Sequence, residues 1–178
     1  MGKRSDFERN PRDFYPTPWE AAAPLLNHLP LDLKYWEPCA GDGALIDHID
    51  SIFFDACGLA TDIEPQRADV QRFDVFDVGG IHAPGMTHII TNPPWDRKIL
   101  HPMITLFSAL RPTWLLFDAD WMHTKQSTEF QPYLRKIVSV GRVKWIPDSK
   151  MTGKDNCAWY LFDQANPGPT EFFGPADL

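Results

Sequence analysis

Short apolar runs alternate along the chain with segments whose apolar residues recur at helical spacing. The runs predict strands at residues 33–37, 57–61, 70–76, 87–91, 114–117, 138–146 and 157–162. The helical spacing predicts helices over residues 44–53, 99–110 and 128–137. Strands that alternate with helices are typical of a parallel sheet covered on both faces. We therefore predict an α/β fold built on a single doubly wound, mostly parallel seven-stranded sheet.

Residues near position 17 predict the start of a further helix. Residues 1–13 are polar and charged without periodicity, and we predict a flexible arm there, followed by one domain over residues 14–178. Thr17 stands three residues before Glu20, which is the spacing of a capping box, and Pro18 suits the first helical position. A helix should begin at this point, and Pro24 should kink or interrupt it.

The composition is that of a globular protein, with a net charge of −7 in 178 residues. A chain of this length buries roughly 70% of its unfolded surface, which suffices for one domain. No apolar run reaches the ~20 residues of a membrane helix, and the charged N-terminus is unlike a signal peptide. The three cysteines and six histidines show no disulfide or metal-ligand spacing. We expect a cytoplasmic protein without a metal or a membrane partner.

The negative net charge conceals an uneven distribution. Residues 13–120 carry a net charge of −10, whereas residues 121–154 carry +5. A basic segment on an acidic body is what a nucleic-acid-binding protein would show, although a solvated charged surface would look the same.

Polar and glycine residues stand where three of the predicted strands end. Gly41 and Gly43 follow the first strand, Asp62 ends the second 19 residues after Gly43, and Asp74 lies near the end of the third. An acid at about that distance binds ribose hydroxyls in dinucleotide-binding folds. Position 46, however, is Ile and not the third glycine that a pyrophosphate needs, and Glu37 enters the same turn. The pattern favours a positively charged ligand without phosphate.

The segment Asn92-Pro93-Pro94-Trp95 directly follows the apolar run at residues 87–91. Two successive prolines end a strand and stiffen the chain beyond it. The carboxamide of Asn92 and the carbonyl of Pro93 would then be fixed acceptors beside an indole. We interpret the segment, which we call the clamp, as a site for a planar group that carries an amine.

Other conspicuous side chains are expected to have structural roles. Trp114, Trp145 and Trp159 fall in apolar strands and are predicted to be core residues, whereas Trp121 could be core or a stacking surface. Cys39 has no histidine nearby in the sequence, which argues against a nucleophile.

Four segments together resemble the class I S-adenosylmethionine-dependent amino-methyltransferases, closest to the small, often phage-encoded DNA N6-adenine methyltransferases. They are Phe14-Tyr15-Pro16-Thr17-Pro18, Glu37-Pro38-Cys39-Ala40-Gly41-Asp42-Gly43, Asp62-Ile63-Glu64 and Asn92-Pro93-Pro94-Trp95. The resemblance covers roughly residues 13–163. It implies S-adenosylmethionine as cofactor, and a location in the host cytoplasm if the protein is phage-encoded.

The resemblance also implies roles for individual residues. The methionine part of the cofactor would contact Tyr15, Pro16, Thr17, Glu37, Pro38, Cys39, Ala40, Gly41 and Gly43. Asp62 would bind the ribose hydroxyls, Ile63 would pack on the cofactor's adenine, and Asp74 would bind its amino group. The catalytic set would be Asn92, which also belongs to the cofactor site, with Pro93, Pro94 and Trp95; Trp95 would stack on the target base, worth roughly 1–3 kcal/mol.

A target adenine in duplex DNA must be flipped out of the stack at a cost of a few kcal/mol, which phosphate contacts would have to offset. Lys125, Lys150 and Lys154 in the basic segment are the candidate DNA contacts. The residues after the clamp leave no room for a separate target-recognition domain, so we expect short or relaxed sequence specificity. Methylation of an RNA adenine or a protein glutamine amide, and a non-catalytic cofactor-binding module, remain as alternatives.

Overall fold

The computed structural model describes residues 14–77, 84–146 and 153–175. The predicted arm at residues 1–13 and the candidate DNA contact Lys150 lie outside these ranges. Within them, no helix has the length and apolar character that crossing a membrane would require.

A single mixed sheet organises the described residues and confirms the predicted α/β fold. Its eight strands run in the order β3-β2-β1-β4-β5-β7-β6-β8. Their bounds are β1 Tyr35–Glu37, β2 Cys57–Asp62, β3 Gln71–Arg72, β4 His88–Thr91, β5 Thr113–Asp118, β6 Leu134–Arg142, β7 Asn156–Phe162 and β8 Glu171–Phe173. Strand β7 is antiparallel to both of its neighbours, and all other adjacent strands are parallel. The predicted count of seven missed β8, a three-residue edge strand.

Helices cover both faces of this sheet. They are α1 Trp19–Leu26, α2 Ala44–Asp50 and α3 Arg97–Leu110. Successive strand residues point to opposite faces, so Trp114 of β5 packs with α1 and α2, whereas Leu115 packs with α3. The order of the strands reverses between β1 and β4, and this switch point is where doubly wound sheets bind ligands.

The predicted helix at residues 128–137 is wrong. The chain forms 3-10 segments at Ala119–His123 and Lys125–Tyr133, and strand β6 begins at Leu134. A bulge between Leu134 and Lys136 shifts the register of β6 on β7. The bulge breaks the alternation of a strand, so that Leu134, Ile137 and Val138 are buried at a spacing that resembles a helix.

Two strands differ from their predicted bounds by four or more residues at an end, whereas the others agree to within two residues. Only Gln71–Arg72 of the predicted strand at residues 70–76 pairs, because the chain then turns at Asp74, whose carboxylate accepts from the backbone N–H of Phe76. The strand expected at 138–146 ends at Arg142. The sheet therefore leaves residues 73–77 and 143–146 as loops.

The expected capping box is also wrong. Helix α1 has Pro18 as its N-cap, with no side-chain cap hydrogen bond. The hydroxyl of Thr17 accepts instead from Asn92, and the carboxylate of Glu20 accepts from the backbone N–H of Lys144. Both cap residues are therefore used in tertiary contacts. The helix continues through Pro24 and ends at Leu26.

Candidate functional site

A cavity of about 910 Å³ opens at the carboxyl ends of β1, β2 and β4. Its size is that of a small-molecule site. It gathers residues predicted from five separate stretches of sequence. The predicted residues that line it are Tyr15, Pro16, Thr17, Glu37, Pro38, Cys39, Ala40, Gly41, Asp62, Ile63, Asp74, Asn92 and Pro94.

The remaining predicted residues that the structure describes do not line this cavity. Gly43 is the N-cap of α2, and Pro93 and Trp95 flank the lining residue Pro94. Lys125 and Lys154 are exposed outside the cavity.

Several lining residues were missed by the sequence reasoning. They are Phe14, Asp42, Ala44, Leu45, Glu64, Gln66, Phe73, Val75, Phe76, Asp96, Ile99 and Met103. Most are chain neighbours of predicted residues. Ile99 and Met103 are four residues apart on α3, so helical spacing alone could have placed them on one face.

The turn after β1 brings its backbone close to the aromatic ring of Phe14. Gly41 has a φ of +53°, in the left-handed region that favours glycine. A Cβ there would lie 2.5 Å from Cε2 of Phe14. Glycine at this position therefore permits both the turn and the packing of Phe14 against it.

Asp62 joins two of the turns that form the cavity wall. Its Oδ2 accepts from the backbone N–H of Gly41 at 2.8 Å, and its Oδ1 accepts from that of Glu64 at 2.7 Å. Each carboxylate oxygen has a second lone pair. Asp62 thus has capacity left for hydroxyl donors of a ligand.

Glu37 is a buried acid with an unsatisfied oxygen. The residue is only 2% exposed, and its Oε2 has no hydrogen-bond partner among residues 14–77, 84–146 and 153–175. Burial, and then the negative charge of Asp62, raise the pKa of this carboxyl well above its ordinary value. A cationic group in the cavity would supply the partner that Glu37 lacks and would lower its pKa again.

The charged side chains that are described in the cavity wall are all acidic. Six carboxylates line it, and no Lys, Arg or His among the described residues does so. The six carboxylates belong to Glu37, Asp42, Asp62, Glu64, Asp74 and Asp96. Such a wall favours a ligand with positive charge and disfavours phosphate.

The clamp joins the cavity through Asn92, at the end of β4. Its Nδ2 donates to the hydroxyl of Thr17 at 3.1 Å, and Nε1 of Trp95 faces its Oδ1 at 3.4 Å. Helix α3 begins directly after the clamp, with Asp96 as an N-cap that accepts from the N–H of Lys98. The clamp is therefore held between a strand end and a capped helix start.

Trp145 belongs to the surroundings of the clamp, and it packs half-buried against the core where the sequence predicted a core residue. Strand β6 ends before Trp145, and its indole, half-buried, meets that of Trp95 edge to face, with centroids 5.8 Å apart and planes at 87°. The ring of Tyr15 lies 6.4 Å from Trp145 on the cavity side. Trp114, Trp121 and Trp159 are all core residues.

The structure describes two of the candidate DNA contacts, Lys125 and Lys154. The chain neighbour of each is hydrogen-bonded to a residue close in sequence to Trp95 or Trp145. Gly153, which precedes Lys154, donates its N–H to the carbonyl of Val143 at 2.8 Å, two residues before Trp145. Gln126, which follows Lys125, accepts from Arg97, two residues after Trp95. Each of these exposed lysines is therefore next in the chain to a residue that is hydrogen-bonded within two residues of Trp95 or Trp145.

Cys39 is poorly suited to act as a nucleophile. Burial raises the pKa of the Cys39 thiol, with Asp62 as the second cause, and this opposes the thiolate that a nucleophile needs. Among the described residues, no group of three or more His, Cys, Asp or Glu side chains is arranged to hold a metal ion.

No family model and no curated protein matches this sequence. Solved structures, however, share its fold. A type I restriction-modification methyltransferase subunit from Streptococcus thermophilus aligns with a TM-score of 0.59 at 6% identity, over 90% of this chain and 46% of that one. A putative class I S-adenosylmethionine-dependent methyltransferase from Listeria monocytogenes aligns with a TM-score of 0.59 at 8% identity, over 89% of this chain and 65% of that one.

The M protein of the EcoKI type I restriction enzyme aligns with a TM-score of 0.53 at 11% identity, over 88% of this chain and 45% of that one. The chain thus spans less than half the length of the type I subunits that it resembles. At such identities the likeness concerns the fold.

Proposed function

We propose that this protein transfers a methyl group from S-adenosylmethionine to the N6 amine of adenine in DNA, with short or relaxed sequence specificity. The observation that carries the proposal is the shared cavity, in which an unpaired buried acid at Glu37 and the polar end of the clamp at Asn92 line one space. A cofactor pocket that opens onto an amine site is what direct methyl transfer requires. The fold shared with methyltransferases of restriction systems supports both the donor and DNA as the acceptor.

The residues of the cavity fit this cofactor. Glu37 would pair with the α-ammonium group, and Asp62 would accept from the ribose hydroxyls. Ile63, 46% exposed at the cavity, would pack on the cofactor's adenine, whose amino group Asp74 would bind. Six carboxylates, with no cation among the described lining residues, suit a ligand that carries an ammonium and a sulfonium charge and no phosphate. The bound cofactor would supply an electrophilic methyl group.

The clamp would act on the target amine. The lone pair of an adenine N6 is delocalised into the ring, so the amine is a poor nucleophile. Oδ1 of Asn92 and the carbonyl of Pro93 would accept its two hydrogens and favour a tetrahedral nitrogen whose lone pair faces the methyl group. Pro94 would stiffen the clamp, and Trp95 would stack on the base. Positioning and fixed acceptors, without a nucleophilic side chain, would supply this catalysis.

The DNA would be held by cations near the clamp. Lys125 and Lys154 lie on segments bonded to the clamp's neighbours, and Lys150 belongs to the same basic stretch of sequence. Each phosphate contact would contribute to the salt dependence of binding and offset the cost of base flipping.

The test is methyl transfer from labelled cofactor to duplex DNA, single-stranded DNA, RNA and cell protein in parallel. We expect label in DNA, recovered as N6-methyladenine after digestion, and none with Asn92→Ala. Binding of the cofactor to Asn92→Ala, measured by calorimetry, separates loss of chemistry from loss of the pocket. Label confined to RNA or protein would refute the DNA substrate, and cofactor binding without any transfer would indicate a non-catalytic module.

A further inference from the structure

The two ends of the Asn92 side-chain amide meet partners of different chemistry. An indole N–H can only donate, so Nε1 of Trp95 requires the oxygen of the amide on its side. Nδ2 is thereby turned towards Thr17, whose hydroxyl must accept its hydrogen at 3.1 Å. A flipped amide would set two donors against each other at Trp95. The orientation of Asn92 is therefore fixed by its neighbours.

Thr17 is well placed to hold this orientation. It is only 5% exposed and lies 75 residues before Asn92 in the chain. Its carbonyl oxygen is 3.1 Å from Nε2 of His48, on helix α2, so the backbone at Thr17 is also anchored. The hydroxyl is thus a buried and anchored acceptor in contact with the clamp.

We propose that Thr17 is a positioning residue for the methyl transfer: its hydroxyl holds the amide of Asn92 so that Oδ1 remains available to the target amine. The inference rests on the proposed function. It gives Thr17 a role at the acceptor end of the cavity, in addition to its place in the cofactor wall. The segment that precedes α1 would then couple the two halves of the site.

The two roles of Thr17 predict different kinetics. If the hydroxyl serves only the cofactor, its removal weakens cofactor binding and leaves kcat unchanged at saturation. If the hydroxyl orients Asn92, its removal lowers kcat while the cofactor Kd changes little. Misplacement of a catalytic group by about 1 Å can cost about a hundredfold in rate.

The experiment compares Thr17→Val, which keeps the shape and removes the acceptor, with Thr17→Ser, which restores the acceptor. We expect Thr17→Val to lower kcat about tenfold to a hundredfold with a cofactor Kd within about twofold of wild type. Thr17→Ser should recover most of kcat. A Thr17→Val protein with unchanged kcat, or a Thr17→Ser protein as slow as Thr17→Val, would overturn the proposal.

A second measurement does not depend on activity. The side-chain amide protons of Asn92 give an NMR signal pair that is assigned by its absence in Asn92→Ala. We expect this pair to shift and to exchange faster with water in Thr17→Val, and to be retained in Thr17→Ser, while the backbone spectrum reports the fold. An unchanged pair in Thr17→Val would refute the hydrogen bond. If wild type methylates no adenine, the proposed function fails, and this signal still decides whether Thr17 orients Asn92.

Discussion

The substitution Glu37→Gln tests the cofactor pocket most directly. It replaces a carboxyl group that is 2% exposed with an amide that cannot ionise, and it keeps nearly the same shape. In the free protein, no described residue is a hydrogen-bond partner of Oε2 of Glu37. An ammonium group bound there would have this carboxylate as its counter-charge, so the variant should bind S-adenosylmethionine less tightly.

The expected loss follows from the burial of Glu37. Little solvent reaches the site to screen the interaction, so the value for a hydrogen bond to a charged group applies, about 1.5–3 kcal/mol. Because 1.4 kcal/mol corresponds to a factor of ten, the cofactor Kd should rise about 10-fold to about 140-fold.

The raised pKa of Glu37 adds a pH dependence with a definite sign. Between its ordinary pKa of 4.5 and the raised value, the folded protein holds a proton that the unfolded chain has released. The contribution of Glu37 to stability is therefore complete below pH 4.5 and falls as pH rises towards the folded pKa, by up to about 1.4 kcal/mol per pH unit. Cofactor binding favours the ionised form, so affinity should increase with pH over the same window.

Calorimetric titration of cofactor at several pH values, together with urea denaturation of the free protein, measures both effects. The Glu37→Gln protein should bind the cofactor weakly, and its cofactor affinity and unfolding free energy should lack this dependence on pH. Glu129→Gln makes the same chemical change at an exposed position outside the cavity and should behave as wild type. Equal cofactor Kd values for Glu37→Gln and wild type at pH 8 would refute the reasoning.

Three further substitutions probe the rest of the site. Gly41→Ala should cost about 1–2 kcal/mol of unfolding free energy for its positive φ, plus the displacement of Phe14, as measured by urea denaturation. Trp145→Ala should leave the cofactor Kd unchanged and lower kcat/KM for DNA about 2-fold to 12-fold, because an aromatic pair contributes about 0.5–1.5 kcal/mol and Trp95 loses its partner. Lys125→Ala should weaken DNA binding and reduce the slope of log affinity against log salt by about 1, measured by fluorescence anisotropy.

Two of these substitutions have matched controls in the chain. Gly141 also has a positive φ, +90°, but a Cβ there would meet nothing within 4 Å. Gly141→Ala should therefore lose only the unfolding free energy that a positive φ costs an alanine. A Gly41→Ala protein no less stable than Gly141→Ala would contradict a tight packing of Phe14. Lys34 lies just before β1, at the opposite edge of the sheet from the cavity, and Lys34→Ala should keep the salt slope of wild type.

The sequence predicted the sheet because its central strands are short, mostly apolar runs bounded by turns. It failed where a local irregularity or a tertiary contact decided the structure. The bulge in β6 gave Leu134 and Ile137 a helix-like spacing, and β8 is too short to show a period. Thr17 and Glu20 have the spacing of a capping box, but Asn92 and Lys144 compete for their oxygens.

The candidate site was easier to predict where its residues follow strand ends. The carboxyl ends of parallel strands meet at one edge, so Glu37, Asp62 and Asn92 were expected to converge. The position of Trp145 beside the clamp could not be predicted in this way. It depends on the end of β6 at Arg142 and on the contact of Trp145 with Trp95, and tertiary packing decides both. Phe14 likewise has no signal of its own until Gly41 is seen beneath its ring.

The two hydrogen bonds that Asp62 accepts constrain how this site can change during evolution. Because its carboxylate holds the turn after β1 against the turn after β2, a change of ligand preference at Asp62 would also release the glycine turn. The clamp lies two strands away on β4 and is oriented by a different segment of the chain. Selection acting on the acceptor could therefore alter the surroundings of the clamp without breaking the bonds of Asp62, as long as Thr17 still orients Asn92. In a lineage with this arrangement, we expect the methyl donor to be inherited and the target to be the trait that varies.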